Sequence, residues 1–166
     1  MGTNVKSLLS RVTCAVALAW MMAALNTSAP VQAQGDDLPP GEGRDMVVQI
    51  CTECHGSDTF TGFRRSRAEW ESVVGDMTGR RGGATPEEMT AIMKYVVTQF
   101  GRVNVNRAAA AELVEIVGVA NAEATAIVDY RTKNGEFRSF DDLRKVPGVD
   151  VANLESRKDR LVFTGP

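Results

Sequence analysis

From residue 43 onward the apolar positions recur at helical spacing. Met46, Val47 and Ile50 share one face of a first helix that starts near Gly43. Trp70, Val73, Val74 and Met77 form a second stripe between Ser66 and Thr78. A third runs through Met89, Ile92, Met93, Val96 and Phe100. Its start is written in Thr85-Pro86-Glu87-Glu88, with threonine as N-cap, proline in the first turn and Glu88 completing a capping box; Gly101 fits its stop. The stretch from Gly79 to Ala84, rich in Gly and Arg, predicts a loop. No run alternates apolar and polar residues for long enough to predict a sheet.

After Val103 the pattern shortens and doubles. Leu113-Val114-Glu115-Ile116-Val117-Gly118-Val119 parallels Leu143-Arg144-Lys145-Val146-Pro147-Gly148-Val149. Each predicts a short helix ending in an apolar-Gly-apolar turn, with another helix behind it. Asn134-Gly135 marks a turn between the two units, and Ser139-Phe140-Asp141-Asp142 reads as a helix start. The expected fold class is all-α.

The N-terminus has a different character. Lys6 and Arg11 precede an apolar run from Val12 to Leu25, and Val31-Gln32-Ala33 puts small residues at a cleavage site. This is the layout of a signal peptide over residues 1–33, and it implies export to the periplasm. The apolar run is shorter than the ~18–20 residues a spanning helix needs, so no membrane span is expected after cleavage. Residues 34–42, rich in Gly and Pro, read as a linker.

Composition narrows the chemistry. The chain of 166 residues has 43% hydrophobic and 24% charged residues, and its formal net charge of -2 gives no global pull toward nucleic acid. Loss of the signal removes Cys14, Lys6 and Arg11. The mature cysteines are then Cys51 and Cys54, with 17 basic residues against 21 acidic ones.

Those two cysteines lie in Cys51-Thr52-Glu53-Cys54-His55, the C-x-x-C-H attachment signature of c-type haem. Two thiols can add to the haem vinyls, and the next imidazole can bind the iron. His55 is the chain's one histidine. A thioredoxin-like pair would need a strand–helix pattern that is absent, and three ligands without a further Cys or His make a poor structural zinc site. Residues 43–101 therefore resemble a small class I c-type cytochrome, with the third helix matching the one that packs on the first in that family. The resemblance implies one covalent haem c on Cys51 and Cys54, with His55 as proximal iron ligand. Methionine is the usual sixth ligand in haem electron carriers. Met46 falls on the proximal side, and Met89 and Met93 suit the core. Met77, next to the Gly-rich loop, is the favoured distal candidate, with Met93, Met89 or an open site as the alternatives. Arg64, Arg65, Arg67, Arg80 and Arg81 read either as a solvated face or as partners for haem propionates or an acidic redox protein.

Residues 103–163 resemble the tandem helix-hairpin-helix domain of bacterial competence DNA receptors. The resemblance is carried by Val103-Asn104-Val105-Asn106, Gly118-Val119, Ile127-Val128-Asp129-Tyr130-Arg131, Asn134-Gly135-Glu136-Phe137 and Val146-Pro147-Gly148-Val149. In that family a Gly-apolar-Gly hairpin and the helix start behind it hold a DNA phosphate. It implies contacts at Gly118, Val119, Ala120, Gly148, Val149 and Lys145. The second glycine is replaced by Ala120 and Asp150, and Glu123 adds another acid nearby. The basic residues Arg131, Lys133, Arg138, Arg144, Lys145, Arg157, Lys158 and Arg160 offer a possible patch.

The sequence thus predicts an exported mono-haem cytochrome that carries single electrons to a redox partner protein, with a helix-hairpin-helix docking module. It is expected to be an electron carrier rather than an enzyme. Two further readings stand beside it: a DNA-binding protein of an uptake or envelope system carrying a haem domain, and an electron-accepting subunit of a periplasmic dehydrogenase.

Overall fold

The computed structural model describes residues 37–165. The signal segment 1–33 and the first residues of the linker lie outside them. The fold is all-α, with eight α-helices among the described residues: α1 (Arg44–Cys51), α2 (Asp58–Thr61), α3 (Arg67–Arg80), α4 (Pro86–Phe100), α5 (Ala110–Val117), α6 (Asn121–Asn134), α7 (Phe140–Leu143) and α8 (Val151–Ser156). No helix among the described residues is long and apolar enough to cross a membrane.

Local chemistry starts the helices where the sequence places them. Ser66 and Thr85 each accept a hydrogen bond from the backbone three residues on, and Glu69 and Glu88 reach back to the cap N–H. Two orphan donors per helix start are satisfied in this way. The start of α7 departs from expectation. The Ser139 side chain makes no capping bond, and Asp142 instead accepts from the Arg138 N–H at 2.9 Å.

The absence of a sheet needs correction. Val103 pairs with Leu161 and Asn104 with Val162 in a parallel ladder of two strands, β1 (Val103–Asn104) and β2 (Leu161–Val162). Two residues per strand are too few for a period of two to be readable.

Helix α4 is the centre of the molecule. Beyond the predicted stripe it also buries Tyr95 and Val97 completely. Helices α1 and α3 cover one side and α5 covers another, which leaves α4 a polar strip at Glu87, Thr90 and Lys94. The described part of the linker lies against it as well. Leu38 is buried, the Tyr95 hydroxyl donates to Pro39 O at 2.6 Å, and Arg44 Nε donates to Leu38 O at 3.1 Å. Residues 37–42 are therefore docked rather than a free tether.

One apolar core runs from Leu38 to Leu161 through both predicted modules, and the described residues belong to one compact unit. The junction at residues 101–103 is not a hinge: Gly101 and Val103 are buried. Gly101 does end α4, but not in the left-handed conformation typical of a glycine stop. Its φ is -70°, and glycine suits the site because a Cβ would stand 2.2 Å from Val97 O.

The carbonyls at the end of α4 show how the halves are joined. Val97 O accepts from Gly101 N, and Phe100 O accepts from Arg65 N and from the Trp70 indole. Thr98 O and Gln99 O accept from Arg160, each at 2.6 Å, and the same guanidinium donates to Ile116 O in the last turn of α5 at 2.9 Å. One cation near the C-terminus thus closes the negative ends of two helices.

Candidate functional site

The C-x-x-C-H run leaves the end of α1. Cys51 is the last residue of that helix and half-buried, and its side chain packs on the core. Burial pushes its thiol pKa up, partly offset by Arg81. Cys54 is exposed, and both thiols are free. His55 lies edge-on to Phe60, with ring centroids 6.5 Å apart, and Phe60 lies edge-on to Phe100 of α4. Its Nδ1 is 2.9 Å from Thr59 Oγ1 and 3.2 Å from Gly56 O. No hydrogen bond engages Nε2 among the described residues. Two free thiols and an imidazole with one nitrogen held and the other open are the donor set a covalent haem requires, so these residues fit that group.

Met77 of helix α3 is not a member of the apolar stripe. Met77 is 45% exposed, and Thr78 takes the buried position with its hydroxyl bonded to Val74 O. The helix also runs on to Arg80, past the expected end at Thr78. Arg81 follows it and pairs with Glu53 inside the C-x-x-C-H run, at 3.3 Å. Met77 stands four residues before Arg81, one turn up the helix. Met93 is buried and Met89 and Met46 are partly buried against the core, as expected for packing residues.

The arginines near this loop are neither a simple solvated face nor a free cluster. Arg64 pairs with Asp159 at 2.7 Å, and Arg67 pairs with Glu115. Arg65 stacks over Phe63 and Trp70. With the Arg81–Glu53 pair, four of the five thus serve internal contacts, two of them to the C-terminal half.

The paired hairpins form as predicted. Gly118 closes α5 at φ 75° and Gly148 sits at φ 81°, both in the left-handed region that glycine alone enters cheaply. Ala120 and Asp150 have φ of -67° and -77°. Loss of the second glycine therefore costs no backbone strain; what it changes is the space and charge offered to a phosphate. Asp150 Oδ1 accepts from Ala152 N and Asn153 N, which caps α8. Glu123 bridges the hairpins: Oε2 accepts from Ala120 N at 2.7 Å and Oε1 from Asp150 N at 2.6 Å. The second hairpin is filled by the protein's own carboxylates.

The first hairpin is more open. Gly118, Ala120, Asn121 and Ala122 are exposed, and the N–H groups in the first turn of the 14-residue helix α6 have no intrahelical acceptor. The Arg157 guanidinium lies alongside, its Cζ 3.4 Å from where a Cβ on Gly118 would be. Among the sequence-predicted contacts, the Val119 side chain is a correction: it is 2% exposed and belongs to the core. Val149 is partly buried, and Lys145 is tied to Asp142 at 2.7 Å, which raises the lysine pKa and lowers that of the carboxyl.

The expected basic patch is mostly spent within the fold. Arg131 donates to Val105 O and Ala108 O, and Arg160 holds the helix ends. Arg144 and Lys158 pair with Glu155. Lys133, Arg138 and Arg157 have no ion pair among the described residues. Sequence reading could not separate these three from the other five, because pairing depends on acids brought near by the fold.

Comparison with known proteins agrees with the hairpin geometry. A family model described as a helix-hairpin-helix motif matches residues 98–162. An uncharacterized protein of Haemophilus influenzae is 38% identical over 117 residues, which cover 70% of this chain and 94% of that protein. ComE operon protein 1 of Bacillus subtilis is 39% identical over 59 residues, 36% of this chain and 29% of its own length. Endonuclease/exonuclease/phosphatase family domain-containing protein 1 of Rattus norvegicus is 43% identical over 54 residues, 32% of this chain but 10% of that protein. No solved structure matches the chain at comparable significance. On the extent of the first of these matches, the chain belongs to the family of the Haemophilus influenzae protein, and its C-terminal half carries a helix-hairpin-helix motif.

Proposed function

We propose that this is an exported, periplasmic DNA-binding protein of an uptake or envelope system, which holds duplex DNA without sequence preference through its first hairpin. The observation that carries the reading is the turn at Gly118, which opens onto the exposed start of α6 with Arg157 beside it. Backbone N–H groups, a helix dipole and one guanidinium suit a phosphate and carry no base information. The similarity to ComE operon protein 1 supports the same reading. A shift assay on duplex DNA over a salt series tests it. With about three cations free for phosphate contacts, log Kobs should fall against log salt with a slope of roughly -3. A slope near zero would overturn the reading.

A second function rests on the free His55 Nε2 beside two free thiols. In the N-terminal half Cys51 and Cys54 would hold one covalent haem c, and His55 and Met77 would bind its iron, for single-electron transfer to a redox partner protein. The haem supplies a one-electron couple, and the chain is an electron carrier rather than an enzyme. The pairing of α1 with α4, expected of a small cytochrome, supports this. Protein matured in a periplasm should give a haem stain after denaturation, which Cys51→Ala with Cys54→Ala abolishes. Met77→Ala should keep the stain, lower the reduction potential and let small ligands reach the iron; an unchanged potential would remove Met77 from the iron.

A further inference from the structure

The single histidine is held by an arrangement that decides which of its nitrogens carries the proton. Thr59 lies at the second position of α2, one turn after His55. Its Oγ1 donates to Gly56 O at 2.8 Å, and the same oxygen is 2.9 Å from His55 Nδ1. A hydroxyl has one proton. With that proton given to the carbonyl, Oγ1 can only accept from the ring. The Gly56 carbonyl, 3.2 Å from Nδ1, is itself an acceptor without a proton to give. Both neighbours of Nδ1 therefore require N–H there. The lone pair is left on Nε2, on the other side of the ring.

We propose that Thr59 is a positioning residue, which locks His55 as the Nδ1–H tautomer and aims Nε2 as a metal-binding nitrogen. This rests on the haem reading for its purpose, though not for its geometry. An acceptor on Nδ1–H makes the imidazole a stronger donor through Nε2. A stronger donor favours the more highly charged iron and lowers the reduction potential. Thr59 makes no hydrogen bond to either thiol, so its loss should leave attachment intact and alter the potential alone. Serine keeps the hydroxyl; valine keeps the shape without it.

The full chain is made in two forms, one matured with haem and one without, each as wild type, Thr59→Val and Thr59→Ser. In the haem-bearing form the valine variant should stain for haem as wild type does but show a higher reduction potential, with serine restoring the wild-type value. In the haem-free form, 15N NMR of the one imidazole, at a pH where it is neutral, should show the proton on Nδ1 in wild type and the serine variant. The valine variant, left with the longer Gly56 contact alone, should gain a larger share of the Nε2–H tautomer than wild type. A valine variant with haem attached and an unchanged potential overturns the proposal, as does an unchanged tautomer. If wild type takes up no haem, the haem reading fails, and the NMR comparison still decides whether Thr59 sets the tautomer.

Discussion

Replacing Arg160 with alanine should lower the melting temperature of the entire chain by roughly 10 °C, in one transition. The guanidinium donates to Thr98 O, Gln99 O and Ile116 O, which close the last turns of α4 and α5. Burial lowers the pKa of Arg160, yet the group stays charged. Hydrogen bonds from a charged donor are worth ~1.5–3 kcal/mol each, and three from one side chain are not additive. A loss of about 3 kcal/mol is therefore a sober figure. At roughly 3 °C per kcal/mol for a chain of this size, it gives the expected shift. Arg160→Lys should fall between the two, because an ammonium keeps the charge but not the planar fork that spans both helix ends. Thermal unfolding followed by circular dichroism and by Trp70 fluorescence checks it. The two signals should coincide, since Trp70 lies in the N-terminal half and Arg160 in the C-terminal one. A variant melting within about 1 °C of wild type would show that the clamp contributes little; separate transitions would show two independent domains.

Asp150→Asn together with Glu123→Gln should tighten binding to duplex DNA by about ten- to a hundredfold at constant salt. Glu123 and Asp150 hold the backbone N–H groups of Ala120, Asp150, Ala152 and Asn153, donors that would otherwise face an incoming phosphate. Two unit charges 4 Å apart near a surface interact by ~4 kcal/mol at an effective dielectric constant of about 20, and salt and relaxation reduce that. A residual ~1.4–2.7 kcal/mol corresponds to the stated gain. Asparagine caps a helix about as well as aspartate, so α8 should keep its start and the change reports on charge. Asp150→Gly offers a second route, since glycine at an N-cap costs only a few tenths of a kcal/mol. Fluorescence anisotropy with a labelled duplex measures the effect. If affinity is unchanged in both, neither hairpin seats a phosphate, and the tail serves as a protein-docking surface.

Much of this architecture was readable in the order of residues. The boxes at Ser66 and Thr85 announced α3 and α4 because capping is a contest among neighbours three residues apart. The glycines at 118 and 148 announced the hairpins because left-handed backbone is nearly closed to other residues. The Cys51, Cys54 and His55 run is legible by adjacency alone. Met77 was misplaced on the α3 stripe because helical spacing cannot say which of two neighbouring residues, 77 or 78, faces inward; packing gave the place to Thr78. The basic tail looked like a patch because charge is visible in a sequence while its partner is not.

The sequence by itself determined the helical class, the helix starts, the doubled hairpin and the thiol–imidazole run, since each depends on residues within about one helical turn. The tertiary structure alone decided that the two halves share one core around α4, that Arg160 closes two helix ends, and that Glu123 links the hairpins. Each of these depends on where a hydrogen bond or a buried face finds its partner, and only the folded chain brings those partners within reach.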